Sequence, residues 1–182
     1  RETRTEINFF AGPRQRNTQM KISIKYGSHL PVLNKIVEIT DGPILELGIG
    51  LYSTPFLHYA CLPTKRKLIS YESDPGWIRY FRDCRADFHE VNQIEDWDKL
   101  DVSGRWDIAF IDHHPGHRRA IEAGRLAKLA KYVILHDSEP QNDKNVQYST
   151  IYPLFKYRFD YTDCLPHTTV VSNFVDLSRF NI

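Results

Sequence analysis

The sequence predicts a single domain of the α/β class, and three observations lead to this prediction. Strand-like and helix-like segments alternate from about residue 30 onward. The length of 182 residues corresponds to one domain. A content of 41% hydrophobic and 26% charged residues is typical of a packed globular protein. Because alternating strands and helices form parallel sheets through right-handed crossovers, we expect a doubly wound, mostly parallel sheet.

The first half of the chain predicts three strands with helices around them. Apolar residues recur at helical intervals before the first strand, and short apolar, β-branched runs indicate the strands. Thr54 with Pro55, and Asp74 with Pro75, each combine a capping side chain with a first-turn proline, which indicates two helix starts. The predicted elements are a helix over 30–39, strands over 43–48, 67–72 and 86–91, and helices beginning near 54 and 74.

The second half predicts two more parallel strands and a hairpin. The apolar run at 106–112 is typical of a strand buried on both faces, and 132–137 predicts its neighbour. A helix over about 117–130 carries alanine and glycine at helical intervals, which would let it lie close to the sheet. Two β-rich runs near the C-terminus, FDYTDC and TTVVSNFVDL, predict an antiparallel hairpin. Together these segments make a Rossmann-like sheet of seven strands.

Composition and charge narrow the classes of partner and compartment. Lys and Arg number 24 against 23 Asp and Glu, so no global field attracts a polyanion, and nucleic acid is disfavoured as a partner. Three widely spaced cysteines without a C-x-x-C pair favour a reducing compartment, and no apolar run is long enough to span a membrane. We therefore expect a soluble, cytoplasmic protein. Because the alternation of strands and helices begins at about residue 30, we expect residues 1–29 to form an N-terminal arm or lid on a domain of residues 30–182.

A ligand site is predicted where the parallel strands end, at their carboxyl ends. Gly48 and Gly50 lie between the first strand and the next helix, where a ligand can approach the backbone without meeting a Cβ. Ser53 stands where a dinucleotide fingerprint has a third glycine or an alanine, which disfavours a pyrophosphate site. Glu72 ends the second strand, where a carboxylate can accept hydrogen bonds from both ribose hydroxyls of an adenosine-type ligand. The glycine turn and this carboxylate together predict a nucleoside site.

The segment ELGIG (46–50) resembles the first motif, E/D-x-G-x-G, of class I S-adenosylmethionine-dependent methyltransferases. The C-terminal hairpin resembles the antiparallel ending of their sheet, and the resemblance covers about residues 30–175. It implies S-adenosylmethionine as the cofactor, with the glycine turn at its methionine part, the strand-two acid on its ribose, and a residue after strand three or four at its adenine. The cofactor-binding residues implied by position are Glu46, Gly48, Gly50, Ser53, Thr54, Glu72, Asn92, Trp97, Asp112 and His113.

The stretch between the fourth and fifth strands resembles the F-I-D-G-x-H … H-D ending of a subgroup that includes small-molecule and sugar O-methyltransferases. Asp112, His117, His136 and Asp137 match this pattern. The resemblance implies a small molecule as methyl acceptor, at a hydroxyl. Methyl transfer to a hydroxyl requires proton removal, which an imidazole of near-neutral pKa suits. We expect His117 to be the base, His114 to be the second candidate, and Asp112 to be the third catalytic residue.

Several alternatives stay open. Asp112 and Asp137 end neighbouring strands and could hold a divalent cation, but metal-dependent catechol-type enzymes have Asn where this chain has Ser138, so a metal-free route is favoured. The rivals in function are a non-catalytic S-adenosylmethionine or nucleotide-binding module and an NAD-dependent oxidoreductase, which differ in the ligand that raises the melting temperature. The acceptor is expected to meet the N-terminal segment, loop 138–147, or a second subunit of a homo-oligomer.

Overall fold

The computed structural model describes residues 23–182, and at its centre is a seven-stranded sheet. Five short α-helices connect or flank the strands. The strands are β1 Ile44–Leu47, β2 Leu68–Glu72, β3 His89–Gln93, β4 Trp106–Ile111, β5 Ala130–His136, β6 Tyr157–Tyr161 and β7 Thr168–Ser172. The helices are α1 Leu30–Glu38, α2 Ser53–Cys61, α3 Pro75–Tyr80, α4 Arg118–Leu126 and α5 Asp143–Val146. Several short 3-10 turns also occur, and the first of these in the described residues, Ile24–Gly27, precedes α1.

The strand order is β3-β2-β1-β4-β5-β7-β6. Strands β1 to β5 pair in parallel, whereas β7 is antiparallel to both β5 and β6. The predicted fold class is therefore confirmed, including the terminal hairpin. Because the connections leave β1 in opposite directions, the carboxyl ends of β1 and β4 form the switch point at which α/β sheets bind ligands.

The sheet is buried on both faces because its central strands are apolar throughout. Successive side chains of a strand point to opposite faces, so Leu45 and Ala109 join the core beneath α4, whereas Ile44 and Ile108 join the core beneath α1 and α2. All six residues of β4 are buried. The continuous hydrophobic run at 106–112 is thus the signature of a central parallel strand.

Among the element boundaries that differ from the prediction, two have a clear structural cause. The third strand begins at His89 because Ala86 and His89 exchange backbone hydrogen bonds in a turn before the strand. The helix predicted to reach residue 130 ends at Leu126, although alanines continue the helical pattern. The chain leaves the helix there because Trp106 pairs with Ala130, which already belongs to β5.

The segment just before α1 belongs to the folded domain. Ser28 and His29 are buried, and Gly27 lies so close to Tyr52 that a Cβ at this position would be 2.9 Å from its ring. Residues 23–29 are therefore part of the domain predicted to begin at residue 30. An arm or lid formed by residues 1–22 lies outside the described residues and stays a prediction. Between residues 23 and 182, no helix has the length and apolar character needed to cross a membrane.

Candidate functional site

A cavity of about 920 Å³ opens at the carboxyl ends of β1, β2, β4 and β5. One side of it is formed by the loop between β1 and α2 together with Glu72 and Trp77. The other side is formed by His29, Asp112 and His136. The cavity therefore lies at the topological switch point, where the sequence predicts a ligand site.

The two glycines of the β1–α2 loop have different roles. Gly48 has φ +102°, and a Cβ on it would lie 2.5 Å from the backbone carbonyl carbon of Asp112. The fold itself therefore requires glycine at position 48. The group that comes close to this residue is the backbone of Asp112, just after β4, and not a ligand as the sequence predicts. A Cβ on Gly50 would meet only the Ser53 hydroxyl, at 3.4 Å. Gly50 and Ser53 both line the cavity, so Gly50 is the glycine of this loop that borders the cavity.

Glu72 holds the glycine loop and the start of α3 together. One carboxylate oxygen accepts a hydrogen bond from the Ile49 amide at 3.0 Å, and the other accepts from the amides of Ser73 at 2.7 Å and Asp74 at 2.8 Å. Its side chain lines the cavity although the residue is only 6% exposed. The Ser73 hydroxyl also donates to the second oxygen, Oε1, at 3.2 Å. Since a carboxylate oxygen can accept about two hydrogen bonds, the open acceptor position of Glu72 is on Oε2, which accepts from Ile49 alone among the described residues.

Glu46 supports the loop from beneath. Thr54 donates a hydrogen bond to one of its carboxylate oxygens at 3.0 Å and Ser70 donates to the other at 2.6 Å, while the Gly50 amide donates to the Thr54 hydroxyl. Burial raises the pKa of Glu46 to about 7, although the hydrogen bonds from Ser70 and Thr54 act in the opposite direction. Neither Glu46 nor Thr54 lines the cavity, so both act on a ligand only through the loop.

On the other side of the cavity, Arg119 bridges two carboxylates. Its guanidinium nitrogens lie 2.9 Å from Asp112 and 2.8 Å from Asp137, and the arginine is buried. Arg118, Arg119 and Arg125 give the helix after strand four a basic side, for which the sequence predicts either exposure to solvent or contact with an anionic substrate. The structure instead places Arg119 inward, because α4 packs directly over the ends of β4 and β5, where the two aspartates stand.

His136 has a defined tautomer. Ser28 donates its hydroxyl proton to the Pro166 carbonyl at 2.7 Å, so the hydroxyl can only accept from His136 Nε2 at 2.9 Å. The other nitrogen, Nδ1, lies 3.1 Å from Asp112 Oδ2. Burial alone would lower the pKa of His136, but the charge of Asp112 outweighs it and raises that pKa. Burial likewise opposes ionisation of Asp112, yet His136 and Arg119 hold its pKa well below the usual range.

His29 lies beside His136 in the cavity wall. It was not predicted from the sequence as a site residue. It is 2% exposed, packs edge-on against His136 with ring centroids 4.7 Å apart, and lines the cavity. Neither of its ring nitrogens has a hydrogen-bond partner among residues 23–182. Burial, together with the neighbouring His136, lowers its pKa to about 3, so the ring is neutral at pH 7.

The site residues predicted from the sequence fall into three groups according to their position relative to the cavity. The cavity brings together six of them, whereas three serve the loop or the chain packing around it, and four others lie away from the cavity. Those that line it are Gly50, Ser53, Glu72, Asp112, His114 and Asp137; those that support it are Glu46, Gly48 and Thr54; those outside it are Asn92, Trp97, His113 and His117.

The residues outside the cavity have other surroundings. His113 stacks on Trp97 at 3.9 Å and approaches Glu122 at 3.6 Å, so both rings belong to the packing beneath α4. Asn92 lies in β3, which contributes no residue to the cavity wall. His117 is exposed at the N-cap position of α4, because the turn after β4 carries it away from the strand ends. These positions do not support the cofactor and base roles expected of these four residues.

Comparison with known proteins places this fold among methyltransferases. No protein-family model and no curated protein matches the sequence. Among solved structures, the chain is similar to cofactor-bound Rv0187 from MTB, with 17% identity, a TM-score of 0.61 and coverage of 86% of this chain and 84% of that chain. A human methyltransferase 10 domain containing protein shares 12% identity at a TM-score of 0.58, covering 87% and 89% of the two chains.

Human METTL16 is a further structural neighbour. Its catalytic domain in complex with the MAT2A 3'UTR hairpin 1 has 10% identity and a TM-score of 0.60, over 82% of this chain and 70% of that one. Its N-terminal domain is described in complex with SAH, at 10% identity and a TM-score of 0.56, over 81% and 70%. At these identities the likeness is one of fold. The chain has the class I methyltransferase fold, while the expected small-molecule O-methyltransferase subgroup and the expectation against nucleic acid gain no support from these neighbours.

Proposed function

We propose that this chain is an S-adenosylmethionine-dependent methyltransferase that acts on a hydroxyl of a small molecule. The observation that carries the proposal is that one cavity has two chemically different sides. The glycine loop and Glu72 form a side suited to a nucleoside, and Asp112, His114 and His136 form a side rich in polar groups that can handle a proton. This division matches a reaction that joins a nucleoside-borne methyl group to a second substrate.

The residues on the first side fit the cofactor. Gly50 leaves its backbone open to the cavity, and Glu72 Oε2 has one open acceptor position for a ribose hydroxyl. Trp77 follows on α3 and offers an aromatic face for the adenine, on which rings stack favourably. When bound, S-adenosylmethionine supplies a methyl group on a sulfonium centre. Trp77 is predicted by the sequence only as an apolar helix residue, so its site role comes from the structure.

His114 is the imidazole best placed to accept the proton of the acceptor. It lines the cavity and is also exposed, so a proton taken from the acceptor can leave to water. The acceptor oxygen gives its proton to this ring and forms a bond to the methyl carbon, while the electron pair of the broken carbon–sulfur bond stays on sulfur. The chain contributes mainly by holding the reacting atoms in line. His117, which lies outside the cavity, is no longer the preferred base.

The charges around the cavity support a small acceptor that is not a polyanion. Its charged lining consists of four carboxylates and two cations. These are Glu72, Asp74, Asp112, Asp137, Lys25 and Arg119. Arg119 is already paired with two of the carboxylates, so among the described residues of this lining only Lys25 could meet a phosphate. Phosphate backbones are bound through several uncompensated cations, and a cavity of about 920 Å³ has the size of a small-molecule site.

We also propose the cytoplasm as the compartment. The support is that Cys61, Cys84 and Cys164 are all free thiols in the folded chain. Free cysteines are typical of reducing compartments. Subcellular fractionation of the tagged protein in its native cell checks this proposal, and recovery from a secreted or periplasmic fraction would contradict it.

Calorimetry with S-adenosylmethionine, SAH and NAD tests the cofactor assignment. We expect the first two ligands to bind and NAD to fail. Glu72→Gln should weaken SAH binding by about 10- to 100-fold, as expected for loss of a charge-assisted acceptor worth roughly 1.5 to 3 kcal/mol. The exposed Glu95 gives the matched control, and Glu95→Gln should bind SAH as the parent does. Equal binding by Glu72→Gln and the parent would refute the assignment.

The acceptor class requires a second experiment. The chain is incubated with S-adenosylmethionine and panels of small phenols and sugars, and SAH release is measured. RNA hairpins form the comparison panel, because the 3'UTR hairpin belongs to a structural neighbour of this fold. Turnover with hairpins alone would overturn the small-molecule proposal, and binding of SAH without turnover on any panel would favour the non-catalytic module.

A further inference from the structure

His29, Asp112 and His136 bring three potential ligand atoms to one point of the cavity. One ring nitrogen of each histidine and one carboxylate oxygen of Asp112 all lie within 4.8 Å of one another. His29 and His136 are more than nine-tenths buried, and all three residues line the cavity. These residues come from the segment before α1 and from the ends of β4 and β5, so three separate parts of the chain converge here.

The hydrogen bonding of His136 leaves one nitrogen facing a carboxylate. Because Ser28 must accept a proton from Nε2, the neutral ring has its lone pair on Nδ1. That lone pair would face Asp112 Oδ2 at 3.1 Å and Asp137 Oδ1 at 3.6 Å. A lone pair and a carboxylate repel each other at such distances, so the arrangement requires a positive species between them, either a proton or a cation.

The spacing of His136 Nδ1 and Asp112 Oδ2 is compatible with a metal ion bound to both atoms. With bonds of roughly 2.1 Å to imidazole nitrogen and carboxylate oxygen, two ligands lie roughly 3.0 Å apart at a right angle and roughly 3.4 Å apart at a tetrahedral angle. The observed 3.1 Å between His136 Nδ1 and Asp112 Oδ2 falls between these values. Ser28 holds the remaining nitrogen of His136, as a hydrogen-bonded outer group commonly does for a ligating histidine.

The lack of a hydrogen-bond partner for His29 favours a cation over a proton as the positive species between His136 and Asp112. A proton shared between His136 and Asp112 would satisfy these two residues and leave His29 with no partner among residues 23–182. A buried imidazole without hydrogen bonds has lost its water and gained nothing in return. A cation bound between His136 and Asp112 would also give His29 a partner, so a single ion would satisfy all three side chains.

The charges of the surroundings favour a positive ion. When His136 is neutral, the two carboxylates of Asp112 and Asp137 pair with one cationic group among residues 23–182, the guanidinium of Arg119. Arg119 binds the Asp112 oxygen Oδ1, whereas Oδ2 is the oxygen that points to His136. The carboxylate therefore has one oxygen held by arginine and the other directed at the cluster.

We propose that His29, Asp112 and His136 bind one divalent transition-metal ion of the Zn²⁺ class at the acceptor side of the cavity. Two imidazoles and one carboxylate suit Zn²⁺, Co²⁺ or Ni²⁺, whereas Mg²⁺ and Ca²⁺ prefer all-oxygen sites. Three protein ligands leave a coordination position open. Resting on the proposed function, this position would take the hydroxyl oxygen of the methyl acceptor and lower the pKa of that hydroxyl. The site thus differs from the Asp112–Asp137 pair considered from the sequence.

Titration with Co²⁺ tests the site directly. The full chain of residues 1–182, without a histidine tag, is stripped with chelator and titrated with CoCl₂, with binding followed by calorimetry and by the visible absorption of the ion. We expect one ion per chain and no comparable binding of Mg²⁺. His29→Phe keeps an aromatic ring beside Phe110 but removes a ligand, and it should weaken Co²⁺ binding by more than about 100-fold. His136→Gln should do the same, and Ser28→Ala should cost about 10- to 100-fold.

The control is His117→Ala, which removes an exposed histidine outside the cluster and should bind Co²⁺ as the parent does. Melting temperatures show which variants are folded, and Ser28→Ala decides the question if both histidine variants unfold. Absence of Co²⁺ binding, or unchanged binding in His29→Phe, would overturn the proposal and leave a proton between His136 and Asp112. SAH calorimetry on the parent protein separates the two ideas. A parent that fails to bind SAH defeats the proposed function, whereas a parent that binds SAH but not Co²⁺ defeats the metal site alone.

Discussion

Asp112 Oδ2 lies 3.1 Å from His136 Nδ1, at the carboxyl ends of the neighbouring strands β4 and β5. The pair exists because parallel pairing brings the two strand ends to the same edge of the sheet. Arg119 closes the arrangement from α4 by binding Asp112 and Asp137 at once. A buried arginine, a buried histidine and two partly buried aspartates therefore form the floor of the proposed acceptor site.

Arg119→Met should destabilise the fold strongly. The substitution leaves Asp112 and Asp137 without their shared cation, and removal of one partner from a buried ion pair costs about 3 to 5 kcal/mol. The free energy of unfolding, from urea titration followed by circular dichroism, measures the loss. Arg105→Met is the control, because Arg105 is exposed and its loss should change stability by less than about 0.5 kcal/mol. Equal stabilities of the two variants would show that the Arg119 bridge contributes little.

Gly48→Ala and Gly50→Ala should separate folding from binding. Alanine at position 48 would need φ +102° and would place its Cβ 2.5 Å from the Asp112 backbone, so we expect a loss of stability of more than about 2 kcal/mol. Alanine at position 50 meets only the Ser53 hydroxyl, so the protein should stay stable while SAH binding weakens. Thermal melting and SAH calorimetry are the two measurements. A stable Gly48→Ala variant would contradict the packing role of Gly48.

Glu46 should make the fold less stable as the pH rises from about 5 to about 8. Burial raises the pKa of its carboxyl to about 7 from an ordinary value of 4.5, so between these values the folded state holds a proton that the unfolded state has released. Stability therefore falls as the pH increases through this range. Glu46→Gln removes the titration, and the loss of unfolding free energy with pH should shrink by on the order of 2 to 3 kcal/mol.

The measurement for Glu46 is urea unfolding of the parent and of Glu46→Gln at several pH values. Exposed Glu95 again provides the control, since Glu95→Gln should leave the slope of the parent unchanged. Parallel pH profiles of the parent and of Glu46→Gln would mean that the Glu46 carboxyl does not titrate in this range.

His114→Gln should slow turnover while leaving the cofactor side intact. Loss of a general base reduces the rate by about 10²- to 10⁴-fold, whereas the glycine loop and Glu72 are untouched. SAH release with the acceptor identified in the panel measures the rate, and calorimetry measures SAH binding. His117→Gln serves as the matched control because His117 does not line the cavity. A slow His117→Gln variant beside a normal His114→Gln variant would reverse the assignment.

The cofactor side of the site was largely predictable from the sequence because its groups belong to strand ends and adjoining turns. Gly50 follows β1 and Glu72 ends β2, and a strand pattern alone places both at the carboxyl edge of a parallel sheet. The buried run of β4 likewise fixes the position of Asp112. For these residues, local periodicity and the rule for the switch point are sufficient.

The acceptor side was not predictable in the same way. Ser28 contacts His136 across 108 positions of sequence, and no local pattern indicates such a contact. His29 precedes the first element of the sheet, in a stretch whose basic composition favours an arm. His113 and His117 follow β4 as closely as His114 does, and only the path of the turn decides which ring enters the cavity. A histidine-rich segment indicates a site, but the side chain directions within it depend on tertiary packing.

The hydrogen bond from Ser28 to the Pro166 carbonyl joins residues 138 positions apart. This separation along the chain determines when each side of the cavity can form during synthesis. The glycine loop, Glu72 and their supporting strands are all translated by the end of β4. The tautomer of His136, in contrast, is fixed only after the chain has been translated beyond Pro166. The side of the cavity that carries His136 is therefore completed later in synthesis than the side that carries Glu72.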